Sequence, residues 1–160
     1  MLNIEYVPIT ELRPNEQNPR KNDENVGRVV KSIEAFGWTN PILVRKADNT
    51  VIAGHTRLKA AIEKGMDKVP VVFLDLNETD ALTYMLADNK LTERAEWDGL
   101  KLAEIFAELD QLNVDLDLTG FDKIEIEDYV LGPTGILPEK EITEEDMEGK
   151  NECPKCGYSW

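Results

Sequence analysis

Apolar residues in the first half of the chain recur with two periods, one typical of strands and one typical of helices. Short runs rich in β-branched residues predict strands at 3–7, 41–46, 50–53 and 69–74. Apolar residues at helical spacing predict one helix at 23–36 and another at 55–64. The last of the strand runs is apolar throughout, so we expect it to be central in the sheet. The pattern predicts a domain that mixes strands and helices.

The predicted helix at 23–36 carries a single apolar stripe. Gly37 follows its last residue and is placed to end the helix. Because the members of the stripe share one helix face, we expect them to be buried together. They are Val26, Val29, Val30, Ile33 and Phe36.

Three further helices are predicted downstream. Asn77 is an N-cap for a helix at 78–91, and a helix to about residue 112 opens at Trp97-Asp98. Asp122 and Glu125 form a capping box before a short last helix. From Gly132 onward the chain is rich in Glu and poor in large apolar side chains. Such a composition is typical of a linker.

The connection between the third strand and the helix after it passes through Gly54. Glycine lets another group approach the main chain closely, and the first N–H groups of a helix lack internal partners. Arg57 and Lys59 add positive charge at the end of the helix that is already positive, so helix stability does not explain them. Two interpretations remain open: a site for an anion such as phosphate, or a tight turn with solvated basic residues.

The net charge of −14 is unevenly distributed. Residues 1–64 carry a net charge of +2 and residues 65–160 a net charge of −16. An acidic chain gains nothing from bulk electrostatics in binding nucleic acid, so any DNA contact is expected to be local or to act through a partner. No apolar segment is long enough for a bilayer and no signal peptide is recognisable, which makes cytoplasmic residence the expectation.

The only two cysteines are Cys153 and Cys156, in a Cys-x-x-Cys-Gly sequence. This spacing is typical of a zinc knuckle, and it provides two of the four ligands of a tetrahedral Zn²⁺ site. A second chain could supply the other ligands, or the pair could hold no metal. Both alternatives remain open.

Three motifs in a fixed order carry a family resemblance. Asn18-Pro19-Arg20-Lys21 comes first, Gly54-His55-Thr56-Arg57-Leu58-Lys59-Ala60 second, and Ala87-Asp88-Asn89-Lys90-Leu91 third. Together they resemble the N-terminal domain of ParB, in the ParB/sulfiredoxin superfamily. The continuation resembles ParB-like proteins of phages and prophages, some of which accompany DNA methyltransferases. The resemblance implies an α+β fold, a small mixed sheet with packed helices, followed by a helical extension.

On this basis the chain divides into four segments. Residues 1–95 form the ParB/sulfiredoxin-like domain and 96–131 the helical extension. Residues 132–150 form an acidic linker and 151–160 a tail with the two cysteines. ParB itself carries a DNA-reading helix-turn-helix after its N-terminal domain. Residues 78–131 contain few basic side chains, so sequence-specific DNA binding of that kind is not expected.

The second motif occupies the place of the ParB sequence Gly-Glu-Arg-Arg-x-Arg, which binds the triphosphate of CTP. The resemblance therefore implies phosphate contacts for Gly54, His55, Thr56, Arg57 and Lys59. His55 and Thr56 replace the Glu and the first Arg of the family motif. These replacements predict altered phosphate binding and leave the nucleotide open between CTP and ATP.

The other two motifs imply the remaining site residues. Arg20 maps to an arginine beside the same pocket, and Asp88-Asn89 maps to a Glu-Asn pair near the phosphates and Mg²⁺. One carboxylate is chemically apt there, since Mg²⁺ binds through one or two carboxylates plus phosphate oxygens. The catalytic residues are unknown, and His55 and Asp88 are the candidates.

The resemblance favours a nucleotide-binding switch or slow NTPase associated with DNA in a phage or mobile element. The alternative is a DNA-associated adapter for a methyltransferase or packaging protein, without turnover. A metal-dependent nuclease and a phosphotransferase like the free-serine kinases are weaker alternatives. Sulfiredoxin chemistry is not expected, because His55 stands where sulfiredoxin has its catalytic cysteine. A homodimer is compatible with the sequence, which does not determine the oligomeric state.

Overall fold

The computed structural model describes residues 3–21 and 23–132. Within them the chain forms two compact units. The first contains residues 3–97 together with 117–120, and the second contains 98–116 together with 121–132. Cys153 and Cys156, and with them the predicted zinc knuckle, lie outside the described residues.

A four-stranded mixed sheet forms the centre of the first unit. Its strands are β1 (Ile4–Pro8), β2 (Ile42–Arg45), β3 (Val51–Ala53) and β4 (Lys68–Leu74). Their order across the sheet is β1-β4-β2-β3. The β2–β4 pair is parallel, whereas β1–β4 and β2–β3 are antiparallel. The predicted α+β fold class is confirmed, and β4 is internal as its apolar sequence indicated.

Five α-helices are present in the described part of the chain. The first unit contains α1 (Val26–Phe36), α2 (His55–Glu63) and α3 (Glu78–Glu93), and the second contains α4 (Gly99–Gln111) and α5 (Lys123–Leu131). Three short 3-10 helices accompany them at Ile9–Glu11, Asp23–Asn25 and Leu116–Thr119. None of the described helices is long and apolar enough to cross a membrane.

The two faces of the sheet bury separate apolar clusters. One face meets α2, whose Leu58 and Ala61 pack with Ile42, Val44 and Val71 among others. The other face meets α3, whose Ala81 and Met85 pack on Ile52 of β3. Alternate residues of a strand point to opposite faces, so this short sheet can anchor a helix on each side. The β3 strand is consequently held between α2 and α3.

The predicted apolar stripe of α1 is only partly buried. Val26 is buried, whereas Phe36 at the other end of the stripe is 61% exposed. The α1 helix packs against α2 rather than directly on the sheet. A helix that covers another helix buries a narrower strip than one that covers a sheet. The expectation that Phe36 is buried was therefore wrong.

The turn between β2 and β3 is fixed by Asp48. Its carboxylate accepts hydrogen bonds from Arg45 Nε and Nη2 at 2.9 and 2.5 Å and from Thr50 Oγ1 at 2.7 Å. These donors hold the pKa of Asp48 well below its usual range. Asn49 completes the turn at φ 61°, a left-handed conformation that asparagine tolerates. The turn joins β2 to β3, which pair antiparallel.

The second unit is built from α4 and α5 around an aromatic cluster. Phe106 of α4 meets Phe121 at a ring-centroid distance of 5.2 Å, and Phe121 meets Tyr129 of α5 at 6.1 Å. The predicted capping box is confirmed, since Asp122 and Glu125 exchange both side-chain to backbone hydrogen bonds. Asp98 caps α4 with one bond, since its carboxylate accepts a hydrogen bond from the backbone N–H of Lys101 at 3.3 Å.

We predict that Gly54→Ala lowers the free energy of unfolding by about 1–2 kcal/mol, the cost of a left-handed backbone for a residue with a Cβ. The φ of Gly54 is +97°, and a Cβ would meet neighbouring atoms at ordinary distances near 3.5 Å, so the cost lies in the backbone. Gly27→Ala is the matched control, because a Cβ on this helical glycine would meet nothing within 4 Å. It should leave stability unchanged or raise it by up to about 1 kcal/mol. Urea unfolding measures both, and equal effects would contradict the prediction.

Candidate anion-binding site

The site is centred on the junction between β3 and α2. Gly54 is the N-cap of α2 in a left-handed conformation, and its carbonyl accepts the first helical bond from Leu58 N–H at 3.0 Å. A glycine N-cap has no side chain to pair with the N–H groups of the first turn, and Gly54 accordingly provides no side-chain cap for α2. The positive end of the helix therefore faces the space beside β3.

A cavity of about 280 Å³ lies at this junction. It brings together parts of the chain from the loop before α1, the end of β3, the start of α2 and the middle of α3. Seven of the residues predicted from the three motifs line it: Arg20, Gly54, His55, Thr56, Arg57, Asp88 and Asn89. The motifs are therefore contiguous in space although they span 70 residues of sequence.

Arg20 and Asn89 are held in place by a short hydrogen-bonded chain. Arg20 Nη1 donates to Asn89 Oδ1 at 2.9 Å, and Asn89 Nδ2 donates to the carbonyl of Met85 at 2.9 Å. The backbone N–H of Arg20 donates to Asn18 Oδ1 at 3.2 Å. This arrangement links the loop before α1 to α3 and presents the Arg20 guanidinium at the cavity.

Arg57 is partly buried against the segment before β2. Its Nη1 donates to the carbonyls of Asn40 and Pro41 at 2.7 and 2.6 Å. Burial lowers the pKa of Arg57, and the negative charge of Asp88 opposes that shift. Since arginine titrates far above neutral pH, the guanidinium stays charged. Both bonds use one nitrogen, so the guanidinium retains donors for a ligand in the cavity.

His55 is the first residue of α2 and is half-buried. Its Nε2 atom is buried and has no hydrogen-bond partner in the described part of the chain. Burial lowers the pKa of His55, and the charge of Lys59 lowers it further. A positive helix end also disfavours an imidazolium. His55 is therefore neutral near pH 7 in the ligand-free protein.

Lys59 is the one predicted phosphate contact that does not line this cavity. It lies one turn into α2, where its ammonium pairs with Asp23. Asp88 lines the cavity from α3 and is the carboxylate that could bind a cation there. No group of three or more His, Cys, Asp or Glu side chains with metal-binding geometry occurs among the described residues.

Six lining residues were missed by the sequence analysis as site candidates: Asn18, Asn25, Val29, Ile52, Ala53 and Thr92. Ile52 and Ala53 belong to β3, whose apolar sequence indicated a strand rather than a ligand site. Asn18 belongs to the first motif and could have been proposed from it. Val29 belongs to the apolar stripe of α1, which indicated packing rather than a ligand. Asn25 and Thr92 carry no local signal, because only the packing of α1 and α3 around β3 brings them to the cavity.

Two other cavities help to define the site. One of about 160 Å³ adjoins it and shares Val29 and Arg57, with Trp38 and Asn40 among its other lining residues. A larger one of about 530 Å³ is lined by the Arg13 to Gln17 loop, the β2–β3 hairpin and the start of α3. The larger cavity contains none of the residues predicted from the motifs, so its size does not identify it as the site.

Comparisons with protein families agree with the fold and the motifs. A family model of the ParB N-terminal domain matches residues 1–90. A second model, of the ParB-methyltransferase HTH domain, matches residues 101–156. The second match indicates that this part of the chain is related to a helix-turn-helix domain. The small number of basic residues there did not predict such a relationship.

Individual relatives support the same assignment. The Escherichia coli K12 protein "ParB-like nuclease domain-containing protein YnaK" is 46% identical over 74 residues, which cover 46% of this chain and 84% of YnaK. The nucleoid occlusion protein of Bacillus cereus (strain B4264) is 30% identical over 115 residues, which cover 69% of this chain but only 39% of that protein.

A solved structure shares the fold. Chromosome-partitioning protein ParB from Caulobacter crescentus, C-terminally truncated and complexed with CTP-gamma-S, superposes with a TM-score of 0.64 at 23% identity. The match covers 80% of this chain and 77% of that one. Because the model of the ParB N-terminal domain matches more than half of this chain, the chain belongs to the ParB family.

Proposed function

We propose that this protein binds a nucleoside triphosphate with Mg²⁺ in the cavity at the start of α2, with the phosphates on the N-terminus of that helix. The observation that carries the proposal is the convergence of the α2 N-terminus with Arg20 and Arg57 on one cavity. A helix N-terminus and two guanidiniums favour an anion strongly, and guanidinium geometry suits phosphate oxygens.

The adjoining cavity of about 160 Å³ could accept the base and sugar of a nucleotide whose phosphates lie at the start of α2. Arg57 lies between the two cavities, so phosphates beside it would leave the remainder of a nucleotide near Trp38 and Ile33. Apolar and aromatic walls with a few backbone polar groups are typical of sites for such groups.

Asp88 is the residue that would hold Mg²⁺. Its carboxylate lines the cavity on the α3 side, opposite the basic start of α2. Mg²⁺ commonly binds through one or two carboxylates, phosphate oxygens and water, so a single protein carboxylate fits. When bound, the ion would neutralise phosphate charge and fix the phosphate conformation.

The side chains that line the cavity favour nucleotide binding, or slow hydrolysis of the nucleotide, over nuclease activity. Metal-dependent phosphodiester cleavage commonly uses several carboxylates at one site. Among the described residues, Asp88 is the carboxylate that lines this cavity. We therefore propose a switch or slow NTPase acting in the cytoplasm. The Caulobacter crescentus ParB that shares the fold is complexed with CTP-gamma-S, which supports a nucleotide as the ligand.

A DNA-associated adapter is the second candidate function, favoured by the match to the ParB-methyltransferase HTH domain. Residues 101–156 contain five Lys, no Arg and sixteen Asp or Glu. This balance opposes the phosphate contacts that supply most DNA affinity. We propose that any DNA association of this protein is made through a partner such as a methyltransferase or packaging protein.

Arg57→Ala should weaken Mg²⁺–NTP binding by about 10- to 100-fold, the loss expected for a hydrogen bond to a charged group. Isothermal titration calorimetry with each of the four NTPs measures this. Arg13→Ala is the matched control, since Arg13 lines the larger cavity. Circular dichroism checks that both variants fold. Loss of binding in Arg13→Ala with retention in Arg57→Ala would place the ligand in the other cavity.

Asp88→Asn should weaken NTP binding in the presence of Mg²⁺ and have little effect in EDTA, because the carboxylate acts through the ion. Titrations with and without Mg²⁺ measure the difference. Asp75→Asn is the control, since Asp75 is exposed between β4 and α3 and does not line the cavity. An equal loss with and without Mg²⁺ in Asp88→Asn would contradict the metal role.

The purified protein should give no discrete complex with duplex DNA at physiological salt, with or without Mg²⁺ and NTP. Its net charge of −14 repels the phosphate backbone. Electrophoretic mobility shifts with native-host DNA fragments measure this. A sequence-dependent shift by the protein alone would show that the DNA contact is direct and would contradict the adapter hypothesis.

A further inference from the structure

The central sheet has one bare edge, formed by β1. The strand order β1-β4-β2-β3 places β1 and β3 at the two edges of the sheet. The residues from Asn3 to Tyr6 are all exposed, and the side chains of Ile4 and Tyr6 are 55% and 70% accessible to solvent. The described part of the chain therefore leaves most of the start of β1 uncovered.

The opposite edge is protected in three ways. The β3 strand has only three residues, and its pairing with β2 shifts register between Leu43 and Val44. The backbone of Arg13 also pairs with this edge, since its N–H donates to the carbonyl of Asn49 at 2.9 Å and its carbonyl accepts from Val51 N–H at 2.8 Å. Short strands, irregular pairing and covering segments all keep a sheet edge from pairing with another chain.

The β1 strand shows none of these features. Its pairs with β4 run from Ile4↔Val72 to Pro8↔Lys68 without a shift in register. The strand contains no lysine, and Glu5 is its one charged residue. Pro8 is the last residue of β1, so it limits the length of an added strand without preventing one. The β1 edge can therefore accept a further strand.

The register of β1 determines which of its backbone groups face the open edge. In an antiparallel pair, alternate residues exchange both hydrogen bonds with the neighbouring strand. Ile9 N–H donates to the carbonyl of Asp67 at 3.0 Å and continues the β1–β4 pairing, so the odd-numbered residues of β1 bond to β4. The N–H and C=O groups of Ile4 and Tyr6, and the carbonyl of Pro8, consequently point outward.

The exposed apolar side chains of β1 share one face of the sheet. Val7 belongs to the apolar cluster on the α2 side. Because successive side chains of a strand alternate between faces, Ile4 and Tyr6 lie on the other face, which α3 covers only farther along the sheet at Ile52. A strand added at the edge would extend this apolar strip.

We propose that β1 pairs antiparallel with β1 of a second copy of this chain, about a two-fold axis, so that one sheet runs through both copies. Tyr6 faces Tyr6 of the second copy at the axis, and Ile4 faces the opposite Pro8. A pair of backbone hydrogen bonds then joins the two tyrosines, and each Ile4 N–H donates to the opposite Pro8 carbonyl. The same surface is used on both copies, as a two-fold interface requires.

The side chains of β1 favour a copy of itself in this register. Glu5 then lies opposite the apolar Val7, whereas an axis at Glu5 would place two carboxylates directly opposite each other, which is destabilising. Aromatic side chains that face each other across strands stabilise a sheet. Both conditions are met by β1 alone, so the partner that it fits is a second copy.

The size and charge of the interface predict how the dimer behaves. Weak, transient interfaces bury less than about 1,200 Å², and a pair of five-residue strands belongs to that class, so the dimer should be reversible. Each copy has a net charge of −14, and salt screens the repulsion between the copies. The dimer fraction should therefore rise with salt concentration.

Sedimentation equilibrium of the nucleotide-free protein, from micromolar to millimolar concentration and at low and high salt, measures the association. EDTA and a reducing agent keep the two cysteines from linking copies. β1 does not line the proposed nucleotide cavity, so the outcome is independent of nucleotide binding. We expect a monomer–dimer equilibrium that salt shifts toward the dimer. A monomer under every condition would overturn the proposal.

Tyr6→Lys and Tyr6→Glu each place like charges opposite each other at the axis, so each should weaken the dimer by about tenfold or more. Both variants should fold, because Tyr6 is 70% exposed and its N–H points away from β4. Circular dichroism checks this. Ile62→Lys on α2 is the matched control, since Ile62 is also apolar and is 56% exposed. A dimer unchanged in both Tyr6 variants, or weakened equally in Ile62→Lys, would overturn the proposal.

A mixture of Tyr6→Lys and Tyr6→Glu tests the register itself. Opposite charges would then face each other at the axis, so the mixture should form a mixed dimer at concentrations where each variant alone is a monomer. Another contact between copies would not give this rescue, because only a residue at the axis meets its own copy. Two folded variants that form no mixed dimer would overturn the proposal.

Discussion

The geometry of the site depends on one backbone constraint, the left-handed conformation of Gly54. This residue lets the chain leave β3 and enter α2 without an intervening loop. The direction of α2 is then fixed because Leu58 and Ala61 are buried against the sheet. A strand that passes directly into a helix places several N–H groups at one point, and the packing of the helix prevents that point from moving.

The second constraint is that β3 lies at the edge of the sheet, between helices on opposite faces. Ile52 packs with α3, whereas Val51 packs on the α2 side. A central strand would have both edges covered by neighbouring strands. The edge position opens a space that α3 closes with Asp88 and Asn89 and that the loop before α1 closes with Arg20.

Charge is distributed unevenly along the chain, with a net +2 in residues 1–64 and a net −16 in residues 65–160. Basic side chains gather at the α2 junction, where the backbone carbonyls of Asn40 and Pro41 accept hydrogen bonds from the partly buried Arg57. The described part of the second unit contains an aromatic cluster and a capping box at the start of α5. A shared fold does not by itself decide the chemistry of a site, so the function must be argued from the residues at the start of α2.

Local patterns in the sequence determined most of the elements of this protein. Strand alternation, helical spacing and caps such as Asn77 and Asp122 act over a few residues, and the structure confirms the elements that they predicted. The ordered motifs also pointed to seven of the residues that line the cavity.

Local patterns do not determine how much of a helix face is buried, and the exposure of Phe36 followed from the packing of α1 on α2. Only the tertiary structure decided that Lys59 pairs with Asp23 and that Asn25 and Thr92 line the cavity. It also decided that His55 Nε2 is buried and has no hydrogen-bond partner among the described residues. Each of these depends on contacts between segments far apart in the chain, which no local periodicity encodes.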